Sequence, residues 1–389
     1  WQISNYFTEM ISHPEYNKFK GQVWDLTGKL DHFGDRLRRI AARLESGIKA
    51  VVTPGMLFEA LGFRYFGPVN GHNLHQLIKI FEQTKQFKGP ILIGITGAMP
   101  DGTGLDYLQK AVPKNYFDVG IAEEHGITFA AGMATQGIIP VVAIYSTFLQ
   151  RGFDQIIHDI ALQKLHVVFV MDRAGLVGAD GPTHHGVFDI SYLRMIPGMV
   201  IMAPKDESEL RDMLYTAVEY KKGPIALRYP RGNALGVELK EGFNAIQIGK
   251  AEKLNDGDDV ALLALGSMVD YSIKAAAKLK EQGISCEVIN MRFAKPLDTE
   301  MLDRIAEKFH KVITLEENNL PGGFGSAVAE YFISNNYKND LQFIGIPDKF
   351  VDHGTQEELH KILGIDPDGI VERVKEFIQL NKIKHEVSL

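Results

Sequence analysis

The sequence is poor in cysteine, with Cys286 the single one among 389 residues. One thiol cannot form a disulfide within the chain, which fits a reducing compartment such as the cytoplasm. The sequence also lacks an uncharged apolar run of about 18 residues, so no transmembrane helix is expected. Its first residues, WQISNYFTEM, have no basic region followed by an apolar core and therefore do not predict a secretory signal peptide.

Basic residues are not in excess, because the formal net charge is −7 at pH 7. A general nucleic-acid-binding protein would carry a basic face, so nucleic acid is not an expected partner. Local basic sites for small anions remain open. The composition, 45% hydrophobic and 23% charged, is that of a globular protein. The length predicts two or three domains.

From about residue 114 onward, short apolar segments alternate with segments of helical period. Four of them predict strands: PVVAIYS (140–146), HVVFVMD (166–172), GMVIMAP (198–204) and PIALRYP (224–230). Residues 206–220 predict a helix with Asp206 as its N-cap. Near-continuous apolar strands that alternate with helices indicate an α/β fold in which a doubly wound parallel sheet is covered on both faces.

A second strand–helix series begins near residue 257, after a mixed, glycine-containing stretch at 232–256. We therefore predict a domain boundary in that stretch. The first 95 residues form no complete series. The strand GPILIGIT (89–96) runs into GAMPDGTG, which reads as a loop with no returning helix. We expect a segment to be missing at that point and another to precede the chain.

The stretch FDVGIAEEH (117–125) places Glu123 where a strand passes into a helix. A carboxylate at a helix start is favoured by the helix dipole alone. Alternatively, it lies at the carboxyl end of a strand, where open α/β sheets bind ligands, and there a buried carboxyl can donate a hydrogen bond. The helix continues with small residues at 130–132 and 134, which would allow a neighbour to pack closely.

A glycine-rich loop, GLVGADGPTHHGVFD (175–189), follows the second of these strands. It presents Asp180, His184 and His185. Histidines in loops are usually solvated, but a loop of this length is more often functional. Histidine is also suited to moving protons near neutral pH.

Three arginines, Arg151, Arg173 and Arg231, lie at or just beyond the ends of predicted strands. Each is a surface charge or, since guanidinium groups bind phosphate in a bidentate manner, part of a phosphate site. Two aromatic residues, Tyr145 and Phe148, follow the first strand. They are either core residues or a flat face for a heterocycle.

Taken together and in this order, five motifs resemble the 1-deoxy-D-xylulose-5-phosphate synthases, which are transketolase-like thiamine diphosphate enzymes. These motifs are DVGIAEEH, VAIYSTFLQRGFDQ, DRAGLVGADGPTHHG, YLRMIPGMVIMAP and LRYPRGN. RFAKPLD (292–298) and EENNLPGGFGSAV (316–328) resemble the family's C-terminal domain. Residues 20–75 resemble the end of its N-terminal domain.

The resemblance implies a transketolase-like, thiamine diphosphate-binding fold. We expect a remnant of the diphosphate-binding domain at 1–95, a pyrimidine-binding domain at 96–235 and a transketolase C-terminal α/β domain at 257–389. It also implies condensation of pyruvate with glyceraldehyde 3-phosphate, with loss of CO2. The product would feed isoprenoid, thiamine and pyridoxal phosphate synthesis. A homodimer with bound Mg²⁺ is implied, in a bacterial cytoplasm rather than a plastid stroma.

The resemblance also assigns roles to particular residues. Glu123 matches the cofactor-activating glutamate, whose carboxyl bonds a ring nitrogen of the aminopyrimidine. His184 and His72 match histidines of the catalytic centre. Phe148 and Ile121 match residues on the pyrimidine side of the cofactor. The implied substrate-binding residues are Tyr145, Arg151, Arg173, Asp180 and Arg231.

The sequence departs from the family where the metal should bind. No GDG motif occurs, and the family's lysine-rich segment after the strand 89–96 is absent. We therefore expect the metal and diphosphate ligands in the missing regions and none in this chain. Two alternatives stay open: a pyrimidine-domain subunit of a 2-oxoacid dehydrogenase, and an inactive fragment or dimerising scaffold.

Overall fold

The computed structural model describes residues 92–239 and 242–387. The predicted N-terminal remnant therefore lies almost wholly outside the described residues. The chain divides into two compact units, Trp1–Ile121 and Ala122–Leu389. No helix within the described ranges is both long enough and apolar enough to cross a bilayer.

In the first unit, strand β1 (Leu92–Thr96) pairs in parallel with β2 (Tyr116–Asp118). The expected loop between them is wrong, because helices α1 (Pro100–Thr103) and α2 (Leu105–Ala111) and the 3₁₀ turn Pro113–Asn115 connect the strands. The helices are short, and Gly104 in the left-handed region separates them, so the segment shows no helical period in the sequence.

The second unit begins with α3 (Glu123–Ala134) and contains a first sheet. Its parallel strands are β3 (Ile139–Tyr145), β4 (Val168–Asp172), β5 (Val200–Met202) and β6 (Ile225–Arg228), in the order β5-β6-β4-β3. Almost every residue of these strands is buried. This is why each strand appears in the sequence as an uninterrupted apolar run, as expected for a sheet covered on both faces.

The segment after β3 is not one continuous α-helix. The chain forms α4 (Ser146–Leu149), the 3₁₀ turn Gln150–Gly152, α5 (Phe153–Gln155) and a π-helical turn, Ile156–Ala161. Further along, α6 (Asp189–Arg194) and α7 (Glu207–Glu219) cover the sheet. The Asp206 carboxylate accepts a hydrogen bond from the Glu209 amide, which confirms the predicted N-cap.

The second sheet has the order β12-β11-β8-β9-β7. Its strands are β7 (Glu252–Lys253), β8 (Val260–Ala264), β9 (Cys286–Asn290), β11 (Lys311–Asn319) and β12 (Asp340–Ile346). Only β7 runs antiparallel to its neighbour. The accompanying helices are α8 (Met268–Glu281), α9 (Thr299–Lys308), α10 (Phe324–Ser334), α11 (Gln356–Leu363) and α12 (Pro367–Val387).

One strand departs from the two-series pattern. Strand β10 (Phe293–Lys295) follows β9 but pairs antiparallel with β5, at the edge of the first sheet. The chain reaches it through Arg292, whose φ is +57° and whose carbonyl accepts a hydrogen bond from the Ala203 amide. Residues of the expected C-terminal domain therefore complete the first sheet, while the predicted boundary itself stays a prediction.

Candidate active site

Glu123 is the first residue of α3 and is only 1% exposed. Its Oε1 accepts a hydrogen bond of 2.6 Å from Nη1 of Arg151, whose side chain is 46% exposed. Helix α3 lies close to the 3₁₀ turn that carries Arg151. A Cβ atom on Gly152 would come within 2.0 Å of Ile127 Cδ1. The small residues of this region thus allow the turn to approach closely enough for Arg151 to reach Glu123.

The ring of Phe148 is the centre of the site. It lies nearly parallel to the ring of Tyr145, with centroids 6.0 Å apart, and meets the edge of His184 at 5.3 Å. The Arg151 guanidinium lies 4.9 Å from the centroid of the same ring. Phe148 therefore connects the carboxylate end of the site with the histidine of the glycine-rich loop.

The glycine-rich loop is closed at its base by two backbone hydrogen bonds between Gly175 and Gly186, of 2.7 and 2.8 Å. The two adjacent histidines have different surroundings. His184 is half-buried, and its Nδ1 lies 3.0 Å from the Thr183 hydroxyl. His185 is buried, accepts a hydrogen bond at Nδ1 from the Val177 amide and donates from Nε2 to the Asp352 carbonyl. His185 is therefore a structural residue, and His184 is the one that faces the site.

Arg173 follows β4 with a φ of +59°, an uncommon value for a residue with a side chain. Its guanidinium forms an ion pair with Asp172 and lies 3.9 Å from the centroid of the Tyr145 ring. Burial raises the pKa of the Tyr145 phenol, and the positive charges of Arg173 and Arg231 oppose that rise. Both arginines therefore act on the same phenol, as expected for two cations of one site.

Arg231 donates from Nη1 to Asp180 at 2.7 Å and to the Val177 carbonyl at 3.4 Å. The side chains of Arg231 and Asp180 are 43% and 40% exposed, so this pair faces solvent. All three candidate arginines thus have a carboxylate partner in the structure. A bound phosphate would have to share or replace those partners.

Asp172 is a site residue that the sequence reasoning missed. It ends β4, it is buried, and burial raises its pKa although Arg173 opposes the rise. The sequence did contain a signal for it, because Asp172 is the acidic last residue of an otherwise apolar predicted strand.

The structure brings together eight of the ten sequence-predicted site residues through the contacts described: Glu123, Tyr145, Phe148, Arg151, Arg173, Asp180, His184 and Arg231. Ile121 is the last residue of the first unit and is 80% exposed. His72 lies outside the described residues.

The site fits the pyrimidine side of the expected cofactor. Arg151 engages one oxygen of Glu123, while no hydrogen bond from the described residues reaches Oε2, which leaves that oxygen for a ring nitrogen. The Phe148 ring lies beside the same arginine. The metal side is different, because the described residues contain no group of three or more His, Cys, Asp or Glu side chains placed to hold a metal ion.

Three family patterns match the chain. "1-deoxy-D-xylulose-5-phosphate synthase" matches residues 2–97, "Transketolase, pyrimidine binding domain" residues 84–235, and "Transketolase, C-terminal domain" residues 249–370. The 1-deoxy-D-xylulose-5-phosphate synthase of Chlorobium luteolum is 41% identical over 440 positions, which cover 96% of this chain and 69% of that protein. The chain belongs to the 1-deoxy-D-xylulose-5-phosphate synthase family.

Other members of the synthase family agree. The synthases of Chlorobaculum tepidum and a Synechocystis species are 42% and 47% identical, covering 96% and 87% of this chain and 69% and 63% of their own lengths. The first match spans 440 positions, more than this chain contains, so the relative has residues inside the matched region that have no counterpart here. This agrees with the expectation of a missing internal segment.

Two solved structures are similar. One, described as a split-gene transketolase, inactive β4 tetramer, has a TM-score of 0.64 at 29% identity and covers 78% of this chain and 96% of that chain. The transketolase of Campylobacter jejuni has a TM-score of 0.57 at 18% identity, with 77% and 45% covered, and supports the fold alone. The chain is thus a transketolase-type, thiamine diphosphate-dependent enzyme of the synthase family.

Proposed function

We propose that this chain carries the pyrimidine-side catalytic residues of a 1-deoxy-D-xylulose-5-phosphate synthase. The reaction joins pyruvate and D-glyceraldehyde 3-phosphate to give 1-deoxy-D-xylulose 5-phosphate and CO2. The observation that carries this proposal is the buried Glu123 carboxylate. One of its oxygens accepts a hydrogen bond from Arg151, whose guanidinium also lies beside the Phe148 ring. A 2-oxoacid dehydrogenase subunit shares the architecture but is less well supported by the family match.

Glu123 is proposed to hold a ring nitrogen of the aminopyrimidine. When bound, thiamine diphosphate supplies a nucleophilic carbon and an electron sink for decarboxylation. The part of the protein is to place the ring and to set its protonation. A carboxyl group buried at the start of α3 is rigidly placed and shielded from water, which strengthens its hydrogen bond to the ring.

His184, Arg173 and Arg231 are proposed to act on the substrates. His184 lies edge-on to Phe148 and can move a proton at the carbonyl oxygen of the acceptor. The two arginines are proposed to bind the phosphate of the acceptor. Their present partners, Asp172 and Asp180, would then orient the guanidinium groups by sharing them.

The remaining properties are proposals drawn from the family resemblance. We propose that Mg²⁺ binds with the diphosphate, through residues that this chain does not show. We propose a homodimer in a bacterial cytoplasm, with domains at 96–235 and 257–389. We also propose that the product serves isoprenoid, thiamine and pyridoxal phosphate synthesis.

A second candidate function is that of an inactive module that needs a separate diphosphate-binding chain. It is favoured by the match to the split-gene transketolase, whose described form is inactive and which this chain spans almost completely. The absent GDG motif points the same way. The synthase proposal would still hold if a separate diphosphate-binding chain restored turnover.

The test is to incubate the purified chain with thiamine diphosphate, Mg²⁺, pyruvate and glyceraldehyde 3-phosphate, and to measure CO2 and ketose phosphate. The Glu123→Gln variant is the blank. Aldehyde-dependent CO2 release that Glu123→Gln lacks supports the synthase. No release at saturating cofactor supports the inactive module, and release that requires lipoamide would contradict both.

A further inference from the structure

The glycine-rich loop is held at both backbone polar groups of one residue, Leu176, by side chains of the C-terminal sequence. The Leu176 amide donates a hydrogen bond of 2.8 Å to Oε1 of Glu317. The Leu176 carbonyl accepts one of 2.6 Å from Nε2 of Gln356. Leu176 is only four residues from Asp180 and eight from His184, so its position fixes the start of the segment that carries both.

Glu317 is a buried carboxylate with a full set of partners. It lies on β11 and is 2% exposed. Besides the Leu176 amide, Oε1 lies 2.9 Å from Nε2 of His360, and Oε2 accepts a hydrogen bond from the Ser267 hydroxyl at 2.7 Å. Burial pushes the pKa of Glu317 up, but the hydrogen bonds and the charge of His360 outweigh it, so the net shift is downward and the group is ionised.

The loop itself is shaped to receive this carboxylate. Gly175 has a φ of +81°, and a Cβ atom there would come within 2.4 Å of Cδ of Glu317. Only glycine allows both the backbone angle and the close approach. The hydrogen bonds between Gly175 and Gly186 then close the loop directly beside this contact.

The neighbouring carboxylate on the same strand, Glu316, has a purely structural role. Glu316 is also buried, but it accepts hydrogen bonds from the Phe324 and Gly325 amides at the start of α10. Among the described residues, no hydrogen bond joins its side chain to the glycine-rich loop. The two glutamates are therefore both buried on the same strand, but they form hydrogen bonds to different parts of the chain.

We propose that Glu317, assisted by Gln356, is a positioning residue that orders the glycine-rich loop for binding of the phosphorylated acceptor. It touches no predicted substrate group and acts through Asp180 and His184. This rests on the proposed function of that loop. In this arrangement the C-terminal sheet contributes to the site, although it carries none of the residues predicted to bind cofactor or substrate.

The test compares four variants of the full chain: Glu317→Ala, Glu317→Gln, Gln356→Ala and the control Glu316→Gln. Hydrogen exchange measured by mass spectrometry should accelerate about tenfold at the loop amides in Glu317→Ala. Glu317→Gln keeps an acceptor oxygen and should lie between this variant and the wild type. Glu316→Gln should leave loop exchange unchanged.

The kinetic readout is the KM for glyceraldehyde 3-phosphate, which should rise about tenfold in Glu317→Ala and less in Glu317→Gln. The KM for pyruvate should change less.

Gln356→Ala changes a partly exposed side chain and keeps the test usable if Glu317→Ala does not fold. Unchanged loop exchange in both Glu317→Gln and Gln356→Ala would overturn the proposal, as would a loosened loop with an unchanged acceptor KM. Absence of synthase activity in the wild-type chain, both alone and with a diphosphate-binding partner chain, would refute the proposed function instead, and the exchange data would still decide whether the network orders the loop.

Discussion

The Arg151 guanidinium donates a hydrogen bond of 2.6 Å to Oε1 of Glu123 and lies 4.9 Å from the centroid of the Phe148 ring. One side chain thus contacts two of the three residues expected on the pyrimidine side of the cofactor. The family resemblance implies that Arg151 binds substrate. The structure shows it paired with the carboxylate through a charge-assisted hydrogen bond to one oxygen.

Replacement of Glu123 should abolish activity with little loss of stability. In Glu123→Ala, kcat should fall by about 10²–10⁴-fold, the range of a lost acid–base group. The free energy of unfolding should fall by only about 1 kcal/mol, since the half-exposed Arg151 can be hydrated once its partner is removed. Steady-state kinetics and urea unfolding measure the two quantities.

Glu124→Ala is the matched control for this change, because Glu124 is exposed one position further along the same helix. It should leave kcat near the wild-type value. The exchange of the thiazolium proton of added thiamine diphosphate into deuterated solvent, followed by NMR, separates cofactor activation from later steps. Wild-type exchange in Glu123→Ala would show that the assigned role is wrong.

The close approach of α3 to the turn that carries Arg151 depends on a missing side chain. In Gly152→Ala, the new methyl group would meet Ile127 Cδ1 at 2.0 Å in a fully buried region. We expect a loss of about 1–3 kcal/mol in the free energy of unfolding, which is typical of overpacking. Thermal or urea unfolding measures it.

The control for this steric account is the double variant Gly152→Ala/Ile127→Val, which removes the offending methyl group. Ile127→Val alone should cost about 0.5–1.5 kcal/mol. The double variant should lose less than the sum of the two single changes, because the residues are in contact. Strictly additive losses would argue that Gly152 is needed for its backbone and not for space.

The parallel strands could be predicted from the sequence because burial on both faces makes each an apolar run. Two features could not. Strand β10 has only three residues and pairs with a strand some ninety positions earlier in the chain, a non-local contact without a local pattern. The contact of Glu317 with Leu176 spans 141 positions, and a glutamate at the end of a strand looks solvent-exposed in the sequence. The candidate site residues were easier to predict, because parallel strands bring their carboxyl ends to the same edge of the sheet.

Glu316 predicts a pH dependence of stability. Burial raises the pKa of this carboxyl from its ordinary value to about 7, against the opposing hydrogen bonds from the Gly325 and Phe324 amides. The folded state therefore binds this proton more tightly than the unfolded state does. Its contribution to stability is fully present below the unfolded pKa, is lost as the pH rises towards 7, and changes no further above that.

The measurement compares wild type with Glu316→Gln, which cannot ionise. Between pH 5 and pH 7, the wild-type free energy of unfolding should fall relative to the variant by ~1 kcal/mol per pH unit. Above pH 8 the difference should be constant. Parallel curves across the whole range would mean that Glu316 has the same affinity for its proton in both states.

The arginines provide the sharpest test of the acceptor site. Arg173→Lys and Arg231→Lys keep the positive charge but lose the planar fork that suits a phosphate. One lost charge-assisted hydrogen bond is worth roughly 1.5–3 kcal/mol, so kcat/KM for glyceraldehyde 3-phosphate should fall by about tenfold to a hundredfold. Unphosphorylated glyceraldehyde should be affected far less, because it never makes the contact.

Arg194→Lys is the matched control, since Arg194 forms an ion pair with Glu330 away from the site. It should leave kcat/KM for both acceptors unchanged. Equal losses for the two acceptors in Arg173→Lys or Arg231→Lys would mean that these residues serve their partners Asp172 and Asp180, and hence the shape of the loop, rather than the phosphate.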